Sequence, residues 1–371
     1  MGISSITNCK DASYMYMAYS LAEKAKGWAS PNPYVGCIIL KNGAIVGYGF
    51  HEKPGKLHAE AVAIQKAGSQ VQNSTLYTTL EPCLHWGRTP PCVDKIIEAK
   101  PKRVVVSALD PNPLVYKKGV KKLKDAGINV LTGLLEQINK KLNETYIKYI
   151  TRKQPFVLIK AASSFDGKIA TKNFSSQWIS SLQTREYTHL IRAEYDAIMT
   201  GINTIIKDNP QLTIRHSDWT NKKLTRIILD SSLRLPPDSK IISTLSKGKI
   251  LIFTKKNPPL EKAKQLQRRG VQVIPLQKSD SSINLKEVLN YLGQIEISSV
   301  LVEGGGQLTT SFIQQKLADK ILLIFSPKLI GGEKAPSFYD GKGINHIQDA
   351  YLLKDVHSFK IGEDTIMEGY F

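Results

Sequence analysis

The sequence predicts an α/β protein built as two layered domains, and three observations carry that expectation. At 371 residues the chain is too long for one ordinary domain and suits two. Short apolar runs alternate with amphipathic helical stretches, the pattern of a sheet covered by helices. Around residues 143–154 the alternation is interrupted by a polar, Lys-rich helical stretch ending in Lys153-Gln154-Pro155, after which a new apolar run begins. The boundary is expected near residue 150, with domains at 1–150 and 151–371.

The elements follow in order. Residues 13–26 carry Met17, Leu21 and Ala25 at helical spacing and read as a helix. Pro31-Asn32-Pro33 makes a loop, and 34–40 reads as a buried strand. Asn42-Gly43 is a two-residue hairpin signal, so 44–50 is the returning strand. A helix is expected from His58 to about Ala67, stopped near Gly68. Residues 74–79 form a strand leading into Leu80-Glu81-Pro82-Cys83. Pro91-Cys92 opens a helix to about Ala99, because proline suits a first helical turn. A strand at 103–108 and a helix at 120–126 close the first half. In the second half, strands are expected at 156–161, 196–201, 225–230, 249–254, 271–275, 298–303 and 321–326, with helices such as 184–193 between them.

Composition excludes several classes. The chain is 42% hydrophobic and 22% charged, as ordinary globular proteins are. No window approaches the ~18 apolar residues of a membrane span, and residues 1–10 show no secretory pattern. The Met-Gly start does not complete a myristoylation signal, since Ile6 stands where Ser or Thr is needed. Four cysteines (Cys9, Cys37, Cys83 and Cys92) are too few for a disulfide framework, so a cytoplasmic location is expected. The net charge is +19, but its densest cluster, Lys117, Lys118, Lys121, Lys122 and Lys124, reads as a solvated helix face. No aromatic residues interleave with it to stack bases, so neither nucleic acid nor membrane is expected as a partner.

The chemistry concentrates in His58-Ala59-Glu60, Pro82-Cys83 and Cys92. One imidazole and two thiolates are a zinc set, and three protein ligands leave a fourth position open for water, the mark of a catalytic site. Zinc lowers the pKa of such a water to about 7. Glu60, two residues beyond His58, is placed to move protons without binding metal. Nucleobase deaminases share this layout, an H-x-E followed by P-C-x-x-C; here eight residues separate the cysteines. A structural zinc staple would need a fourth ligand, with only His51 and His85 near, and would leave Glu60 without a purpose. If each ligand segment opens a helix, the positive helix ends favour the thiolates. Cys37, in mid-strand, is expected in the core. In the second half, Glu303-Gly304-Gly305-Gly306-Gln307-Leu308 follows a strand and opens a helix, a turn whose backbone N–H groups can cradle phosphate. The strict G-x-G-x-x-G pattern is absent, because Thr309 occupies its last position.

The segments Pro31-Asn32-Pro33-Tyr34-Val35-Gly36 and Glu81-Pro82-Cys83-Leu84-His85-Trp86-Gly87-Arg88-Thr89-Pro90-Pro91-Cys92 closely resemble the bifunctional deaminase/reductase family of bacterial riboflavin biosynthesis. So do Ala162-Ser163-Ser164-Phe165-Asp166-Gly167-Lys168, Ser176-Gln177-Trp178-Ile179, Leu190-Ile191-Arg192-Ala193 and Pro327-Lys328-Leu329-Ile330-Gly331-Gly332. The resemblance spans nearly the whole chain in the family's order. It implies a cytidine-deaminase-like three-layer domain followed by a dihydrofolate-reductase-like domain that uses NADPH. It implies that Asn32, His51, His85 and Arg88 contact the pyrimidine and its ribose phosphate. The family often has Ser and an aromatic or His where Leu84 and Trp86 stand, which bears on pocket shape and leaves the ligands untouched.

By the same resemblance NADPH lies against Ala162, Trp178, Thr204, Asp208, Ser231 and the turn Gly305, Gly306, Gln307, Leu308, Thr309, Thr310 and Ser311. The substrate meets Ser176, Arg192, Leu212, Arg215 and Glu303, where Arg192 and Arg215 can clamp a phosphate. The implied function is zinc-dependent hydrolytic deamination of 2,5-diamino-6-ribosylamino-4(3H)-pyrimidinone 5′-phosphate, then NADPH-dependent reduction of ribosyl to ribityl. The reductase needs a proton donor, with Asp208 and Glu303 as acidic candidates. Homo-oligomers are expected. The alternative is a tRNA-type zinc deaminase with the basic charge as its RNA footprint, against which stand the Cys spacing and the second domain. A zinc-stabilised nucleic-acid-binding module would leave Glu60→Gln functional.

Overall fold

In the first unit, Met1–Lys153, the apolar runs pair into a five-stranded sheet. Its strands are β1 (Gly36–Lys41), β2 (Ala44–Phe50), β3 (Thr75–Leu80), β4 (Arg103–Ala108) and β5 (Asn129–Thr132), in the order β2-β1-β3-β4-β5. β1 runs antiparallel to both its neighbours, while β3, β4 and β5 are parallel. Six helices accompany it: α1 (Ile3–Glu23), α2 (Ala59–Ala67), α3 (Cys92–Ala99), α4 (Lys118–Asp125), α5 (Glu136–Leu142) and α6 (Glu144–Arg152). The computed structural model describes residues 3–371 except 85, 87–89, 279–281 and 342, with side chains described from residue 9 onward.

Successive strand residues point to opposite faces, and here both faces are apolar. Ile38, Tyr77 and Val105 pack against Met15, Ala18 and Tyr19 of α1 and Ile138 of α5. Cys37, Ile39, Leu76, Val104 and Val106 face Ala59 and Ala63 of α2, Val93 and Ile96 of α3, and Leu123 of α4. The result is the expected three-layer sandwich. The buried stripe of α1 is Met15, Ala18, Tyr19 and Ala22, whereas Met17 is exposed and Ala25 lies beyond the helix end. The buried residues recur at i, i+3, i+4 and i+7 from Met15, so the face against the sheet lies to one side of the expected stripe and combines Met15 and Tyr19 with two alanines. A Cβ on Gly36 would overlap the carbonyl oxygen of Ala18, so glycine is required at that crossing. The Asn42-Gly43 hairpin forms as expected, with φ of 50° and 82°.

The second unit, Gln154–Phe371, holds a nine-stranded sheet. Its strands are β6 (Phe156–Ser164), β7 (Ala197–Gly201), β8 (Thr225–Leu229), β9 (Ile250–Thr254), β10 (Gln272–Pro275), β11 (Ser299–Glu303), β12 (Lys320–Ser326), β13 (Lys354–Ile361) and β14 (Asp364–Tyr370). The order is β10-β9-β8-β7-β11-β6-β12-β14-β13. From β10 to β12 neighbours are parallel, and the β13–β14 hairpin adds antiparallel strands at one edge. The helices are α7 (Leu182–Glu194), α8 (Ile202–Asp208), α9 (Lys240–Ser243), α10 (Leu260–Arg268), α11 (Leu285–Gln294) and α12 (Gly306–Gln314). Val157, Ile159, Met199 and Val302 pack under Val288 and Leu289 of α11 and Phe312 of α12. Ile198, Ile228 and Ile252 pack on the opposite face with Ile205 of α8 and Leu266 of α10.

The chain walks outward from β7 to β10, then returns to insert β11 between β6 and β7. At such a reversal the connections diverge and leave a crevice at the carboxyl ends of the strands, where open α/β sheets bind ligands. The β13–β14 hairpin carried no clear sequence signal, since β13 is exposed along nearly its whole length. Among the described residues, no helix is long and apolar enough to cross a membrane.

Candidate functional site

The first cluster forms where α2 and α3 begin. His58 is the N-cap of α2, extended at φ −73° and ψ 160°, and Glu60 sits in the first turn, only 4% exposed. Cys92 is the first residue of α3, and its N–H points at Cys83 Sγ, 3.4 Å away. Cys83 differs from the expectation that every ligand segment opens a helix: it lies in the extended run after β3. That run is tied down by Glu81, whose buried carboxylate accepts N–H groups from Lys117 at 3.0 Å, Val120 at 3.1 Å and Asp110 at 3.3 Å. A Cβ on Gly119 would overlap the Pro82 carbonyl oxygen, so the start of α4 presses directly on the cysteine loop.

A tetrahedral zinc ion with bonds of ~2.0–2.3 Å holds its ligand atoms roughly 3.3–3.8 Å apart. His58 Nδ1 lies 3.2 Å from Cys92 Sγ and 3.5 Å from Cys83 Sγ, and all three atoms lie within 4.8 Å of one another. The residues fit the metal, and no other such group is found among the described residues. The thiols divide one proton between them. The hydrogen bond from Cys92 holds Cys83 down at about 4, against burial and with help from His58, while Cys92 is pushed well above the usual thiol range. A dication would take both as thiolates. Burial raises Glu60 to about 6, with the charge of His58 opposing, which places this carboxyl where proton transfer at neutral pH is efficient. Cys37 is fully buried in β1, as expected of a core residue.

Asn32 and His51 come together beside this cluster. The Asn32 amide nitrogen lies 2.9 Å from His51 Nε2, and His51 Nδ1 lies 3.2 Å from the Leu57 carbonyl oxygen. Burial lowers the His51 pKa, so the neutral ring donates to Leu57 and accepts from Asn32. Its ring meets that of His58 edge-on at 5.1 Å. His85 and Arg88 lie outside the described residues. Trp86 stands 76% exposed.

The second cluster lies at the carboxyl ends of β6, β7 and β11. Arg192 grips Glu303 with two hydrogen bonds, Nε–Oε1 at 2.7 Å and Nη2–Oε2 at 2.8 Å, and gives a third to the Thr213 carbonyl at 3.1 Å. Arg215 places its backbone N–H and its Nε 3.3 Å from His189 Nδ1 and Nε2 respectively, and the neutral ring accepts one of these two donors according to its tautomer. Ser176 Oγ lies 3.4 Å from Asp208 Oδ1. Leu212 is buried in a left-handed conformation, φ 52°, next to Thr213. Trp178 is 58% exposed, with the Arg185 guanidinium 4.1 Å from its ring centre. Ala162 is partly buried on β6, Thr204 lies in the first turn of α8 directly after β7, and Ser231 follows the end of the adjacent strand β8.

Three residues here escaped the sequence reading: Lys160, Arg185 and His189. Lys160 stands directly opposite Glu303 in the β6–β11 register. Its signal was a lysine inside the apolar run Phe156-Val157-Leu158-Ile159-Lys160-Ala161. Burial lowers its pKa, with Glu303 opposing. Glu303 itself is pushed up by burial but drawn down to about 2 by Arg192 and Lys160. Arg185, His189 and Arg192 share one face of α7 at helical spacing.

The glycine turn divides by exposure. Gly305 caps α12 with nothing within 4 Å of a would-be Cβ, and Gln307 is exposed too. This uncovered helix N-terminus fits a phosphate. Gly306 is glycine for another reason, because a Cβ there would overlap Ser337 O. Leu308 is partly buried against Gly304, while Thr309 and Thr310 point inward, and the Thr310 hydroxyl accepts the Asp340 N–H at 2.9 Å. Ser311 bonds back to the Gln307 carbonyl at 2.8 Å.

Two family models match the chain: the cytidine and deoxycytidylate deaminase zinc-binding region over residues 9–108, and the RibD C-terminal domain over residues 155–367. The chain is 44% identical over 357 residues to the riboflavin biosynthesis protein RibD of Aquifex aeolicus (strain VF5), covering 96% of this chain and 97% of that protein. It is 39% identical to the protein of the same name from Actinobacillus pleuropneumoniae, covering 98% and 96%. Among solved structures, Acinetobacter baumannii RibD matches with a TM-score of 0.88 at 34% identity, covering 98% of this chain and 99% of that one. A diaminohydroxyphosphoribosylaminopyrimidine deaminase/5-amino-6-(5-phosphoribosylamino)uracil reductase from Thermotoga maritima matches with a TM-score of 0.85 at 33% identity and the same coverage.

Proposed function

Because the chain belongs to the RibD family of riboflavin biosynthesis proteins, we propose that its two units work in sequence on one phosphorylated pyrimidine. The chain is a deaminase and a reductase of riboflavin biosynthesis, using zinc and NADPH. Residues 1–150 carry the deamination, which removes the 2-amino group of 2,5-diamino-6-ribosylamino-4(3H)-pyrimidinone 5′-phosphate. Residues 151–371 reduce the ribosyl group of the product to ribityl. The observation that carries this reading is the convergence of His58, Cys83 and Cys92 around a buried Glu60 on a chain that also holds the reductase. That second unit sets the tRNA-type alternative aside.

When bound, zinc makes water nucleophilic near neutral pH and NADPH supplies hydride. His58, Cys83 and Cys92 hold the metal. Glu60 takes a proton from the attacking water and passes it to the ring nitrogen; it then takes the second proton from the new hydroxyl and gives it to the amino group, which leaves as ammonia while the carbonyl forms. Asn32 and His51 form one lip of the pyrimidine site, with His85 and Arg88 assigned to its ribose phosphate. In the reductase, Gly305 and Gln307, the strand ends bearing Ala162 and Ser231, and Thr204 in the first turn of α8 would hold NADPH, with Trp178 available to its flat ring. Glu303, ionised between Arg192 and Lys160, accepts hydrogen bonds from the sugar and holds no proton to give. Asp208, raised by burial against the pull of Ser176, is the proton donor. Arg215, exposed and steadied by His189, meets the phosphate. Four unpaired cysteines favour a cytoplasmic location, and self-association is expected by light scattering.

Zinc-loaded protein given the diaminopyrimidinone phosphate should release one ammonia per substrate. Ammonia released from RNA oligonucleotides but not from this compound would overturn the reading.

A further inference from the structure

We infer that Asn143, which lies between the two regions matched by family models (residues 9–108 and 155–367), is a positioning residue of the deaminase. It stands at the junction of α5 and α6 with no exposed surface. Its side-chain amide brackets the backbone of one residue of the substrate loop: the Tyr34 N–H donates to Oδ1 at 2.7 Å, and Nδ2 donates to the Tyr34 carbonyl at 3.1 Å. Both ends of the amide are therefore used, as burial requires.

The loop needs an outside clamp. Pro31 and Pro33 lack N–H groups, and β1 does not begin until Gly36. From Tyr34 a path of hydrogen bonds and chain neighbours leads to the residue before His58. The Val35 carbonyl accepts the His51 N–H at 3.0 Å, the His51 ring pairs with Asn32 at 2.9 Å, and its other nitrogen meets Leu57 O at 3.2 Å, next to His58. Four residues earlier, buried Asn139 donates to the Thr79 carbonyl at 2.7 Å, near the end of β3, which leads to Cys83. One helix pair thus holds both rims of the site. Asn143 acts through Tyr34 on Asn32 and His51, so its loss should loosen substrate binding and spare the chemical step.

The inference rests on the deaminase reading, and full-length protein tests both. In Asn143→Ala the KM for ammonia release from the diaminopyrimidinone phosphate should rise about tenfold. The kcat, the zinc content and NADPH oxidation with the deaminated substrate should hold. A merely structural role would instead lower kcat at constant KM or depress both activities together, and either result overturns the inference. Asn143→Asp decides the matter if the alanine variant does not fold. The shape is kept, but a carboxylate would face the Tyr34 carbonyl until protonation restores a donor. Its KM relative to wild type should therefore fall as pH drops from about 8 to about 6, and a flat ratio overturns the inference. Wild-type protein that releases no ammonia would overturn the deaminase reading and this inference with it. Wild-type ammonia release with an unchanged KM in Asn143→Ala would overturn the inference alone.

Discussion

Glu60 is a buried carboxyl raised to about 6 beside three metal ligands it does not join. Replacing it with glutamine keeps the shape and removes the proton relay, so Glu60→Gln should lower deamination roughly 10²–10⁴-fold. Metal analysis should still find one zinc per chain; lost zinc would make Glu60 structural. In the reductase the carboxyls divide roles by environment. Asp208→Asn should lower kcat for NADPH oxidation at nearly constant KM, whereas Glu303→Gln should raise KM and strand Arg192. Stopped-flow absorbance on the deaminated substrate separates these outcomes, and identical effects would contradict the division. At this scale the sequence was unevenly legible. His58, Glu60, Cys83 and Cys92 announce themselves because metal chemistry admits few residue types at local spacings. Lys160, His189 and Asn143 do not, because their partners Glu303, Arg215 and Tyr34 lie 143, 26 and 109 residues away.

At the scale of elements, α7 and the glycine turn make separate claims. Burial, then the charges of Arg192 and Arg215, lowers His189 from 6.5 to about 4. The unfolded chain takes up this proton as pH falls below 6.5, and the folded chain not until about 4, so stability is lost across that interval. The melting-temperature gap between wild type and His189→Asn should shrink from pH 7 to pH 5, and an unchanged gap would contradict the shift. In α12, Gly305→Ala meets no neighbour and should fold normally while weakening NADPH binding in a fluorescence titration. Gly306→Ala forces the segment around Ser337 aside and should cost about 1–3 kcal/mol in thermal unfolding. Equal stability of the two would contradict the packing described. Most strands and helices were legible from period and turn residues, β2 and β4 residue for residue. β13 was not, because an edge strand exposed on both faces has no alternation to read.

For the whole molecule, a charge of +19 spread along the chain suits capture of polyanionic substrate and cofactor without specifying either. The division at Lys153/Gln154 separates the metal cluster from the reductase cluster. A chelator should therefore stop ammonia release and leave NADPH oxidation with the deaminated substrate intact. The central claim is that deamination precedes reduction. Its most direct measurement follows ammonia and NADPH absorbance together in wild type and in Glu60→Gln, starting from the diaminopyrimidinone phosphate. Wild type should release ammonia before NADPH is consumed, and Glu60→Gln should do neither while still reducing the deaminated compound. Consumption of NADPH by Glu60→Gln from the undeaminated substrate would contradict the order, and with it the account.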